Sequence, residues 1–337
     1  MKKIILLLST LICQLSTLSA QETKEQIRTK ANGFAQQGDY DAAIQVLNAA
    51  LLMYPNDLDL MNDEMYDAYL NRDYTKALDI GKSISQNPLA DEQAYQVLGM
   101  NYKAIADYKG ADKMYKAALK KFPRSGTLYS EYGDMLAADK NEADAIKQWE
   151  KGIEADPTIS SNYYYAAKYY AKTGNILWGL IYGEIFINTE SLTQRTTEIK
   201  TLLANGYKKL IENRNNIPTL KTSGSAFEKA LIACLTSSAE NFSGGTTTDD
   251  ITIFRSRFII NWSNGYANNF PYKLFQYQQM LMQEGFYDAC NQWLFGPAIN
   301  NEAFTNWSAL HAADLYDFKQ FQRSYLFKMP VEQYYAH

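Results

Sequence analysis

GDYDAAIQVLNAALLMYP, residues 38–55, and ADYKGADKMYKAALKKFP, residues 106–123, are the two stretches whose comparison decides the fold. Laid together without a gap, they set Tyr40 on Tyr108, Ala43 on Ala111, Leu47 on Tyr115, Ala50 on Ala118 and Pro55 on Pro123. Steps of three and four put these residues on one face of an α-helix. The alanine in the middle of that face lets a neighbouring helix approach closely. Gly38-Asp39 breaks the chain before the helix, and the proline after it cannot continue the helical hydrogen-bond ladder.

The same step runs on in both directions. Ala43, Ala77, Ala111 and Ala145 are 34 residues apart, as are Tyr40, Tyr74 and Tyr108, and Gly99 and Gly133. Pro55, Pro88, Pro123 and Pro157 follow at steps of 33, 35 and 34. Gly174-Asn175 repeats the break in the last unit. Two antiparallel helices per 34-residue period closely resembles the tetratricopeptide repeat. Five units are counted, at 24–57, 58–91, 92–125, 126–159 and 160–193. The resemblance implies an all-α fold, a right-handed superhelix of helical hairpins whose first helices line a concave ligand groove. Some positions depart from the pattern. Glu142 stands where other units put an aromatic, Met65 stands where they are small, and Gly179 and Gly183 leave little side chain to pack.

Outside the repeats the chain changes character. Lys2 and Lys3 precede an apolar run that closes at Leu18-Ser19-Ala20, the pattern of a secretory leader over residues 1–20. Its Ser19-Ala20-Gln21 exit is similar to that of Bacteroidota leaders. Ile12 before Cys13 disfavours a lipoprotein signal, which needs a small residue there. Export to the periplasm or an outer-membrane-associated site is therefore expected, with no membrane span after cleavage. Beyond the repeats (21–193), residues 194–214 read as a capping helix with Ile199, Leu203 and Leu210 inside and Lys200, Lys208 and Lys209 outside. Residues 215–225, around Pro218, read as a linker. Residues 226–337 read as a C-terminal helical domain of degenerate hairpins, in which Gly285 to Cys290 echoes Gly38 to Ala43. Thr247 or Thr248 is placed to cap one of its helices.

Composition narrows the function. Of 337 residues 46% are hydrophobic and the net charge is −4, which disfavours both a disordered chain and a nucleic-acid binder. No phosphate loop, nucleophile elbow or zinc-protease helix occurs, and His311 and His337 are the two histidines, so no enzyme activity, cofactor or metal is expected. His311, Asp314 and Asp317, with Glu284 and Asp288, are the best constellation for chemistry, and read more simply as a solvated helix face. Cys234 and Cys290 are open between a disulfide and two buried thiols.

The groove that the resemblance implies is lined by Arg28 and Asn32, then Asp59, Asp63, Tyr66 and Tyr69, then Met100 and Lys103, then Glu131 and Asp134, then Tyr164, Tyr165 and Lys168. Arg28 and Asn32 match the start of the family's carboxylate clamp, but Asp63, Gln93 and Val97 do not continue it. The repeats carry 18 Lys and Arg against 25 Asp and Glu, which suits a basic, aromatic or neutral segment. Tyr163 and Tyr170 read as core. The expected function is an exported scaffold or adaptor that binds a partner protein or extended peptide without catalysis. A glycan-binding accessory role, with a saccharide on a tyrosine-rich surface, is the alternative, and an enzyme in 226–337 a weaker third.

Overall fold

Residue 38 and its equivalents at every 34th position set the architecture. The computed structural model describes residues 22–335, so the expected leader at 1–20 and His337 lie outside the described residues. Gly38, Arg72, Ala106, Lys140 and Gly174 all adopt positive φ, at 80°, 63°, 56°, 63° and 86°. Each reverses the chain just past a helix end. The next residue, Asp39, Asp73, Asp107, Asn141 or Asn175, then accepts a backbone N–H three positions on, as from Ala42 and Lys76 at 3.1 Å and Gly110 at 2.9 Å. A left-handed residue and an N-cap side by side satisfy the free backbone groups of both helices at the turn.

Two compact units divide the sequence at Gly110. The first holds α1 (Lys24–Gln36), α2 (Tyr40–Met53), α3 (Leu58–Leu70), α4 (Tyr74–Ser85) and α5 (Glu92–Ala104). α1 pairs with α2 and α3 with α4, and α2 lies on α3 and α4 on α5. Ala43, Ala77, Leu47, Leu60 and Met65 are fully buried between them. Met65 thus fills space, beside Gly81, where an added Cβ would lie 2.8 Å from its sulfur. Tyr40 and Tyr74 are half-buried, not core, because they sit in the first turn at the hairpin end.

α6 (Tyr108–Lys121) spans the division. The second unit continues with α7 (Gly126–Ala138), α8 (Glu142–Ala155), α9 (Ser160–Thr173) and α10 (Ile176–Thr189). α7 packs on α8 and α9 on α10. Gly133 is needed for a close approach, since a Cβ there would collide with the Trp149 indole. Glu142 is tolerated because its position is half-exposed, and it pairs with Lys172 at 2.6 Å. Gly179 and Gly183 also have a packing reason. A Cβ on the first would stand 3.3 Å from the Ala171 backbone, and on the second 2.8 Å from Leu203 of the next helix.

That next helix, α11 (Gln194–Glu212), buries Ile199, Leu203, Leu210 and Ile211. It packs on α9 and α10 and is covered in turn by α15 (Tyr287–Ile299), so it lies inside the second unit. Lys200 is consequently not outside: its Nζ donates to the Trp293 carbonyl at 2.9 Å and lies 3.3 Å from the centre of the indole. A 3-10 turn at Arg214–Thr219, with Ile217 fully buried, leads to α12 (Ala226–Ala239), α13 (Thr248–Gly265) and α14 (Lys273–Gln283). Thr247 caps α13 in a box with Asp250. α15 follows Gly285, whose φ of 79° repeats the turn at Gly38. α16 (Asn301–Leu310) and α17 (Ala312–Ser324) end the helical part. Cys234 on α12 and Cys290 on α15 are free and buried, so the disulfide alternative gives way to two buried thiols. Among the described residues there is no strand, and no helix is long and apolar enough to cross a membrane.

Candidate functional site

In the first unit, of the groove residues expected on α1 and α3, Arg28 meets Asp59 and Asp63. Arg28 and Asn32 are one turn apart on α1, and Asp59, Asp63 and Tyr66 share a face of α3. Arg28 joins the two faces with a two-pronged pair to Asp63, at 2.6 Å from Nε and 3.1 Å from its second nitrogen. Its guanidinium also lies 3.8 Å from Asp59, which takes Lys24 at 2.9 Å. The Asp63 carboxylate holds Arg28 above its ordinary pKa, and Lys24 draws Asp59 below its own. Arg28 is therefore engaged with Asp63 and cannot serve as the first cation of a carboxylate clamp. Beside this pair Tyr66 stands 44% exposed and Asn32 is exposed. Tyr69 is half-buried against Tyr74, with ring centres 5.8 Å apart. On α5, Met100 and Lys103 are half-buried and Val97 is buried.

The same stripe hides a carboxylate that helical spacing alone does not single out. Asp67, one turn beyond Asp63, is 4% exposed, and its Oδ2 has no hydrogen-bond partner. Burial, with the Asp63 charge behind it, pushes its pKa up to about 6. Glu64, also buried, is by contrast paired to Lys76 at 2.6 Å.

In the second unit the expected residues divide. Glu131 and Asp134 are half-buried on α7. Tyr164 is only 7% exposed and is corrected from surface ligand to packing residue. It lies under the Arg195 guanidinium, 4.9 Å from the ring centre, and its hydroxyl donates to Glu198. Lys168 completes that group through Glu198 at 2.7 Å. The cause is α11: its first turns fold over α9 and cover the stripe that the earlier units leave open. Tyr165 is half-buried and stacks on Trp149, with centres 5.1 Å apart. Tyr163 and Tyr170 are buried, and Tyr170 donates its hydroxyl to Glu150.

A polar node ties α10 to the C-terminal helices. Glu184 and Arg255, each 4% exposed at the side chain, pair at 2.6 Å. Tyr207 and Gln278 donate to the Glu184 carboxylate, and Arg255 donates to Asn291. Three rings, of Tyr207, Tyr287 and Phe295, lie 5.1–5.5 Å from the guanidinium. Five helices thus share one ion pair. Its signal in the sequence is a single acid inside GLIYGEIFI and a single base on the Ile251, Phe254, Phe258 stripe. Nearby, burial, with the Lys319 charge adding to it, lowers the Lys200 pKa to about 7.

His311 and Asp314 do meet, at 3.0 Å, and the His311 ring stacks on Trp307. Among the described residues no three His, Cys, Asp or Glu side chains are arranged to hold a metal ion.

Antiparallel helical hairpins with a fixed turn and cap every 34 residues define a helical-repeat protein. A family model described as tetratricopeptide repeat matches residues 28–88 and 97–158, and those stretches are tetratricopeptide repeats. Similar solved structures include MamA, at 19% identity over 48% of this chain and 94% of that one, with a TM-score of 0.42. TTC0263, a thermophilic TPR protein of Thermus thermophilus, is 16% identical over 55% of this chain and 98% of its own, with a TM-score of 0.43. YrrB, described as a TPR protein with an unusual peptide-binding site, is 16% identical over 54% and 94%, with a TM-score of 0.40. Comparison with curated proteins yields no match.

Proposed function

We propose that this protein is an exported, non-catalytic scaffold that holds a partner protein or an extended peptide on the first helices of its repeats. The observation that carries the reading is the α1–α3 face of the first unit. There the two-pronged Arg28–Asp63 pair lies one helical turn from an exposed Tyr66, an arrangement that offers stacking area, a hydroxyl and paired charge together. Export rests on the leader pattern at residues 1–20.

A photo-crosslinking residue at position 66 tests the partner reading in the native cell. Discrete protein adducts from position 66, absent from Lys113 on a second helix, are the expected result. Adducts from Lys113 with none from 66 would remove the face from consideration. Fractionation with N-terminal sequencing tests export, a mature chain starting at Gln21 being expected.

A further inference from the structure

One cleft of the second unit forms where the N-terminus of α13 meets α11, the end of α15 and α16. Its volume is about 580 Å³, and Trp307, Phe304, Asp249, Gln292, Asn300 and Lys208 are among the residues that line it. Clefts of this size suit small ligands held by a few fixed polar groups.

The geometry fixes these groups in place. The His311 ring lies 4.7 Å from the Trp307 indole, at 14° to it, and Asp314 holds His311 at 3.0 Å. The His–Asp pair that could have suggested a metal thereby props an indole at the cleft. Asp249 accepts from Gln292 at 3.0 Å through one oxygen, which leaves its second oxygen for a ligand. Asn300 spends its carbonyl oxygen on the α16 cap, at 3.0 Å from the Ala303 nitrogen, so its amide N–H groups stay available. The cleft therefore offers an aromatic platform together with planar carboxylate and amide groups.

A sugar ring matches that set. Its C–H face packs on an indole, and adjacent hydroxyls both give to a carboxylate and take from an amide. An extended peptide would instead draw on apolar holes or a row of free backbone groups. We propose that this cleft binds a neutral saccharide, with Trp307 as the stacking platform and Asp249, Gln292 and Asn300 as the hydroxyl-binding groups. The site shares no residue with the α1–α3 face and does not rest on the partner reading.

Calorimetric titration of the full chain with cellohexaose, xylohexaose, maltohexaose and mannohexaose tests it. At least one sugar is expected to titrate one to one with a Kd of about 1 mM or tighter. Trp307→Ala and Asp249→Ala are each expected to weaken it about tenfold or more. Tyr66→Ala is expected to leave it unchanged, which separates this site from the partner face. Trp307→Phe keeps a ring, and its partial retention guards against a folding artefact of the alanine variant. Failure of all four sugars to titrate overturns the proposal, as does sugar binding that survives Trp307→Ala. An extended peptide that takes the cleft and is lost with Trp307→Ala would overturn it in favour of peptide recognition.

Discussion

Gly38, Arg72, Ala106, Lys140 and Gly174 share one left-handed turn, yet only the first and last are glycine. A left-handed backbone costs a residue with a Cβ about 1–2 kcal/mol. The three inner positions carry that strain, held by the Asp or Asn cap beside each of them. Gly38→Ala is therefore expected to lower stability by about 1 kcal/mol, while Ala106→Gly raises it by up to about 1 kcal/mol after the loss of chain entropy. Urea midpoints decide this, and effects of the same sign at both positions would mean that φ does not govern the turn. Asp67 makes a different residue-level case. Its folded pKa of about 6 lies above the ordinary 3.8, so across that window the folded protein keeps a proton that the unfolded chain has released. Stability must fall as pH rises from about 4 to about 6, then stay level. Asp67→Asn should abolish this slope and add roughly 1–2 kcal/mol at neutral pH, allowing for partial screening. Melting curves from pH 4 to 7.5 would show it; parallel slopes for the two proteins would rule it out.

At the scale of elements, the second unit depends on charge placed where helices are otherwise apolar. α10 buries nearly every side chain from Leu177 to Ile187, and Glu184 is the one charged group among them. It is stable there only because Arg255 from α13 neutralises it and Tyr207 and Gln278 occupy its remaining acceptor capacity. Removing one partner of such a pair leaves the other charge buried, at about 3–5 kcal/mol. Glu184→Gln should therefore cost that much, whereas Glu184→Leu with Arg255→Met should cost much less, because no bare charge remains. Chemical denaturation of Glu184→Leu, Arg255→Met and the double variant reads this as coupling between the two sites. A double variant as unstable as the sum of its parts would show that the ion pair does not link the helices. The sequence carries this clue openly, since one acid in an apolar helix and one base on an apolar stripe need each other. It does not show that they meet, because 71 residues separate them.

Across the whole molecule, legibility follows the range of the forces involved. The hairpins are readable because Ala43, Asp39 and Pro55 act locally and recur at a fixed step. The face of α1 and α3 is readable for the same reason: residues 28, 32, 59, 63 and 66 obey helical spacing. Tyr164 is misplaced by the repeat pattern because what covers it, Arg195 and Glu198 on α11, belongs to a helix outside that pattern. Trp307 has no signal in the sequence because its cleft is assembled from four separate helices. The fate of Cys234 and Cys290 is likewise a property of the packed unit. Burial pushes both thiols up to a pKa of about 12, so neither offers a thiolate near neutral pH. Iodoacetamide at pH 8 should leave Cys234 and Cys290 unmodified in the native protein and label both after denaturation, with or without reductant. Glu184→Gln, by loosening the helices on which both thiols lie, should raise the two native labelling rates together. Intact-mass time courses measure this. Labelling of Cys290 alone would mean that α15 opens without α12, and that the buried ion pair does not bind the second unit into one cooperative whole.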